Sequence, residues 1–242
     1  MITFPANGMK HLTKWGGLIV LLVVAQGASA DESWQDALDR MPLTAGVAEL
    51  NRTNCVPLML DAFQSNGVVK AFIFMPGATD ELYFFRRARA TLTNANPSLL
   101  DAVMALTNQT YIQATFQPPM LLLHTTEDSL DVIAVVKSES TAAKLHQRLV
   151  PGRMIFNDAD WGAVRSALKW KLSIGLRPFE SDPETWHFYR HSFAACDLTD
   201  WEMLEALALA GKTTFTVNWL TAEFRPDARA GPVPKLEAFP MR

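Results

Sequence analysis

Residues 84–126 hold a strand-like run at 84–92, a capped amphipathic helix at 96–108 and a hairpin at 110–126 that turns on Gln117-Pro118-Pro119. Much of this stretch returns 104 positions later without a gap. Phe84, Arg86, Ala90, Leu100, Ala102 and Thr110 then meet Phe188, Arg190, Ala194, Leu204, Ala206 and Thr214, and Asn96, Asp101 and Tyr111 meet the related Asp200, Glu205 and Phe215. The recurrence predicts an α+β fold made of two tandem βαβ-type units, each with short helices packed on small mixed or antiparallel sheets.

The first thirty residues stand apart from that pattern. Lys10, His11 and Lys14 make a basic start, residues 15–25 an apolar run, and Ala28-Ser29-Ala30 a small-x-small cleavage signal before Asp31-Glu32. This reads as a signal peptide cut near Ala30. The apolar run falls short of the roughly 20 residues that cross a bilayer. The expected organisation is therefore a signal peptide at 1–30, units at 31–130 and 131–225, and a proline-rich tail at 226–242. A periplasmic or extracellular home follows, with no transmembrane segment after cleavage. Loss of Lys10 and Lys14 moves the net charge from −3 to about −5, which does not suggest a nucleic-acid or anionic-membrane partner. Hydrophobic content of 49% with seven Trp and fourteen Phe is enough for a packed core.

Periodicity fills in the elements. Residues 33–41 read as a short lead-in helix, and Asn54 opens a helix that stops at Asn66-Gly67. Residues 68–75 are apolar apart from Lys70, the mark of a buried central strand. Asn96 is the expected cap of the best-signalled helix, with Pro97 at its first position and Leu99, Leu100, Val103 and Leu106 in one stripe. In the second half, strands are expected at 132–137 and 153–156, and helices at 140–149 and from a cap at Asp158. Trp170, Leu172, Ile174 and Leu176 alternate with polar residues or glycine as a one-sided strand would. Asp200 is the expected cap of the last helix and Gly211 its stop, after which Phe215, Val217 and Trp219 share a strand face.

Chemistry is sparse. His187 and His191 have H-x3-H spacing, but in a strand four residues span about 13 Å, too far for two bonds of about 2 Å to one zinc ion; no metal site is expected. No phosphate-cradling glycine loop or serine elbow is present, so no cofactor is expected. Cys55 and Cys196 either pair as a disulfide, closing a loop of about 140 residues worth about 4–5 kcal/mol, or remain buried thiols. Arg86, Arg87 and Arg89 form the one basic cluster, readable as structural pairing with Asp80 and Glu81 or as a patch for an anionic ligand or partner. Glu180, Asp182 and Glu184 form an acidic loop, readable as a solvated turn or as paired carboxylates.

The run Leu99-Leu100-Asp101-Ala102-Val103-Met104-Ala105-Leu106, the small polar residues before it and the following hairpin through Met120-Leu121-Leu122-Leu123-His124 resemble the short N-terminal domain of secretins and TonB-dependent receptors. The resemblance covers residues 91–128. It implies a small periplasmic βαβ module that binds partner proteins. The expected function is thus a non-catalytic protein-binding or envelope-assembly module. The competing expectation is a secreted hydrolase using Cys55 or the Glu180/Asp182/Glu184 loop.

Overall fold

The computed structural model describes residues 33–75, 88–125, 128–178 and 190–227. The first half runs α1 (Trp34–Asp39), β1 (Glu49–Leu50), α2 (Cys55–Ala62), β2 (Ala71–Phe74), β3 (Ala90–Thr91), α3 (Leu99–Gln109), β4 (Gln113–Gln117) and β5 (Met120–His124). After β6 (Ala134–Val136) come α4 (Glu139–Gln147), β7 (Leu149–Asp160), α5 (Trp161–Leu168), β8 (Gly175–Pro178), β9 (Arg190–Thr199), α6 (Asp200–Gly211), β10 (Thr213–Asn218) and β11 (Thr221–Pro226). The class is α+β, as expected. Residues 1–30, expected to form a signal peptide, the run 84–87, the acidic loop and the tail beyond Asp227 lie outside the described residues.

Among the described residues the strands form a β1–β3 ribbon, a five-stranded sheet ordered β4-β5-β2-β9-β7 and a four-stranded sheet ordered β6-β10-β11-β8. Both larger sheets are mixed. In the first, β2 runs parallel to β5 and antiparallel to β9; in the second, the β10–β11 hairpin takes β6 and β8 as parallel neighbours. The expected boundary after residue 130 does not separate the sheets, because β9 pairs with β2 from Ala71↔Ala195 to Phe74↔Ser192.

Residue pattern explains the layers. β2 and β5 are buried at every position, and each of their faces meets a different core. Phe72, Phe74, Leu121 and Leu123 join the core under α1, α2 and α3, whereas Ala71, Ile73, Met120 and Leu122 join the core of α5, α6 and the second sheet. Strands covered on both sides read as unbroken apolar runs. Helix α6 lies between the two sheets, and Met203, Leu204 and Ala206 through Gly211 are all buried, as expected of a helix apolar all round. In the second sheet, Phe215, Val217, Ala222 and Phe224 point inward while Thr214, Thr216, Asn218, Thr221 and Glu223 remain partly exposed. That period of two marks a sheet packed on one face only.

Several boundaries differ from the sequence reading. α1 is no loose lead-in: Ala37, Leu38 and Met41 are buried, and the Leu99 amide donates to Met41 O at 2.7 Å. α2 stops at Ala62, because Phe63 is already extended. α3 starts two residues later than Pro97 suggests, since Ser98 accepts from the Asp101 amide at 3.2 Å and Asp101 Oδ2 accepts from the Ser98 amide at 2.9 Å, a closed capping box. Asp160, not Asp158, caps α5; Asp158 occupies a bulge of β7 at φ 51°. Thr199 caps α6 in a capping box with Glu202, as Ser33 does α1 with Asp36. The alternation at 169–176 is mostly turn: Trp170 is exposed, whereas Leu172, Ile174 and Leu176 are buried. Trp219 is exposed at a hairpin turn with φ 53°, not on the face of Phe215 and Val217.

Candidate functional site

The residues singled out in the sequence do not converge. Cys55 opens α2 with no exposed surface, and burial pushes its thiol up to about 12. A nucleophilic cysteine needs the opposite shift, toward thiolate near neutral pH. Cys196 is half-buried on β9 and donates to Asp197 Oδ2 at 3.4 Å. Burial and the Asp197 carboxylate both raise its pKa. The two thiols are free rather than joined. Arg153, the cross-strand partner of Cys196, reaches Leu60 O at 3.1 Å and Asp61 O at 2.7 Å. Cys196 therefore stands near the C-terminal end of α2 and Cys55 at its first residue.

Arg89 is exposed beside β3; Arg86 and Arg87 lie outside the described residues, as do Glu180, Asp182, Glu184 and His187. His191 is fully buried on β9, its ring 5.4 Å from that of Trp161. Desolvation drives its pKa down to about 4, opposed by the Ala159 backbone and by Asp160. Its place is in the core. Among the described residues no group of three or more His, Cys, Asp or Glu is placed to hold a metal ion.

Two buried polar networks escaped sequence reasoning. Asp200, wholly buried at the start of α6, accepts from Arg148 Nη1 through both carboxylate oxygens at 3.2 Å. It also accepts from the Ser173 amide at 3.2 Å and from the Ser173 hydroxyl. One carboxylate thus joins the end of α4, the approach to β8 and the N-terminus of α6, where a negative charge complements the helix dipole. Near the other end of α6, Lys212 pairs with buried Asp128, whose second oxygen accepts from the Thr125 amide at 2.7 Å. His124 links on, with Thr125 O 2.7 Å from Nδ1 and the Thr115 hydroxyl 2.8 Å from Nε2. Both networks tie elements together and leave no reactive group presented to solvent.

What the fold does present is surface. The outer face of the four-stranded sheet carries Ile133, 46% exposed, and Val135, 50% exposed, beside the threonine row of β10. At one end of that sheet the β10–β11 turn holds Trp219 and Leu220, 88% and 75% exposed. Trp170, 84% exposed, sits in the turn that enters β8 at this end, with Lys169 Nζ 4.8 Å from its ring centre. The alternation Thr214-Phe215-Thr216-Val217-Asn218 signalled the open face in advance. The exposed tryptophans carried no such signal, because alternation with Phe215 or Leu172 assigns them inward.

The comparisons with known proteins add no relative: no family model, curated protein or solved structure matches this chain.

Proposed function

We propose that this chain is an exported, non-catalytic protein-binding module of the cell envelope, built from two related α+β units in tandem. The observation that carries the reading is the open outer face of the four-stranded sheet, with Val135 on β6 and Ile133 just before it turned outward. The corresponding face of β2 and β5 is covered by α5 and α6. A half-open sheet with an apolar strip is a natural seat for another protein.

The tandem reading draws support from local contacts. The order α-β-α-β-β-α-β-β occurs from α1 to β5 and again from α4 to β11. The first amide of α3 donates to Met41 O at 2.7 Å and that of α6 to Arg148 O at 2.8 Å. The amide of Ala71 donates to the second residue of one hairpin turn, Pro119, and that of Gly175 to the second residue of the other, Leu220. β2 and β8 begin 104 positions apart, as the sequence offset has it, while Ser98 and Thr199 stand 101 apart. Export rests on the basic, apolar and small-residue order of residues 1–30. The resemblance of residues 91–128 to the secretin and TonB-receptor domain supports the same compartment and a partner protein. Burial of Cys55 weighs against the hydrolase reading.

The test is a pull-down of residues 31–242 from an envelope extract of the source, with mass spectrometry of what co-purifies. A stoichiometric protein is expected, and it should be lost when Ile133→Asp and Val135→Asp are introduced together. A chain that emerges without a partner, or one whose partner ignores both substitutions, overturns the reading.

A further inference from the structure

The turn Trp219-Leu220 is costly in the form it takes. A bulky residue at φ 53° is strained, and a two-residue hairpin turn is normally given to Gly, Asn or Asp. Neither residue belongs to either hydrophobic core. Folding is not served by an exposed, strained tryptophan beside an exposed leucine, so the reason for the pair lies outside the fold.

The neighbourhood indicates what the pair meets. Gly175 N donates to Leu220 O at 2.8 Å, bringing the start of β8 against the turn, and the chain reaches Gly175 through Lys169, Trp170 and Lys171. On the other side of the hairpin, Lys137 N donates to Val217 O at 3.4 Å. This end of the four-stranded sheet therefore gathers two exposed tryptophans, a leucine and three lysines, Lys137, Lys169 and Lys171, with Glu139 in the same stretch and Asp200, buried behind Ser173, already paired with Arg148. The whole chain is acidic at −3, so this local excess of positive charge runs against the average.

We propose that this end of the molecule docks on the surface of an anionic lipid bilayer, Trp219 and Leu220 entering the headgroup region and the lysines facing lipid phosphates. Tryptophan favours the membrane–water interface, where its apolar ring and its N–H are both accommodated. Lysines bury their stems along apolar surface and keep the ammonium at headgroup level. A tip as exposed as Trp219 and Leu220 suits a deformable medium, and basic residues beside it gain from the negative surface potential. The surface is centred on the tip of the hairpin, and the outward strip of Ile133 and Val135 assigned to a protein partner adjoins it at Lys137.

The experiment is co-sedimentation of residues 31–242 with phosphatidylglycerol–phosphatidylcholine vesicles and with phosphatidylcholine vesicles, without any partner protein. Binding to the anionic vesicles is expected, falling with added salt. Reversal of Lys137, Lys169 and Lys171 to Glu should weaken it by at least about fivefold per lysine. Trp219→Gly with Leu220→Ser should abolish most of it. Glycine suits φ 53° better than tryptophan, so this variant should melt no lower than the parent, which separates lost binding from lost folding. Wild-type protein that stays in the supernatant overturns the proposal, as does a Trp219→Gly, Leu220→Ser variant that sediments like the parent. If vesicles are ignored while these variants lose the pulled-down protein, the tip is a protein contact and the membrane assignment fails, with the partner-binding function intact.

Discussion

His191 and Glu205 pull the stability of this protein in opposite directions as pH changes. Burial holds the His191 imidazole neutral down to about pH 4, whereas in the unfolded chain it protonates near 6.5. Its contribution is complete above pH 6.5 and is lost as pH falls toward 4, amounting to roughly 3 kcal/mol. His146, lowered by burial against the pull of Glu202, acts in the same sense. Glu205 is raised to about 7 by burial, opposed by its hydrogen bond with Trp201. The folded state therefore holds a proton that the unfolded chain releases above about 4.5, and that contribution, also roughly 3 kcal/mol, is lost as pH rises from 4.5 through 7. We expect the two slopes largely to offset each other in the parent. Urea unfolding at pH 4.5, 5.5 and 6.5 should show stability rising with pH in Glu205→Gln and falling in His191→Gln; parallel profiles in the two variants would refute the assignment. Neither group was legible as buried from sequence. In the sequence His191 is half of a histidine pair, and only the packing of β9 against α5 and α6 reveals that it faces Trp161 and Gly211.

At the scale of elements, α6 shows what periodicity captures and what it misses. Helical spacing puts Leu204, Leu207 and Ala208 on one inward stripe, but Met203, Ala206, Leu209 and Ala210 are buried too, because sheets lie on both sides. The nearly unbroken apolar run 203–211 contained that information. Gly211 is the last helical residue rather than the stop, and the left-handed position falls to Lys212 at φ 47°. Glycine is required for space: a Cβ at 211 would stand 2.6 Å from His191 Nε2. Gly211→Ala should thus destabilise by about 1–3 kcal/mol, as overpacking in a rigid core does. Denaturant melts would show it, and an unchanged midpoint would mean that β9 yields to α6. Helix starts were legible to within two residues. Asn96-Pro97-Ser98 offers several plausible caps, and the spacing Ser98-x-x-Asp101 is what distinguishes the true one. The placement of β9 between β2 and β7 had no local signature at all, since pairing over more than a hundred residues leaves no mark in either strand.

Across the whole molecule, the two halves share more than a linker. One face of β2 and β5, made by Ala71, Ile73, Met120 and Leu122, finds its cover only in residues after 130. Residues 31–130 expressed alone should therefore fail to unfold cooperatively, while residues 31–242 should give a single sigmoidal transition; circular dichroism in urea decides between them, and a cooperative fragment would show that the halves are autonomous. The outward face of β10 and β11 has a further consequence. The five-stranded sheet is roofed by the second half of the chain, whereas nothing among the described residues roofs β10 and β11 on their outward side. Where the roofed face offers isoleucine, methionine and leucine, the open one offers Thr214, Thr216, Thr221 and Glu223. Over β10 and β11 that surface ends in hydroxyls and charge that water can wet, which confines the seat for a further protein to the strip of Ile133 and Val135 beside them.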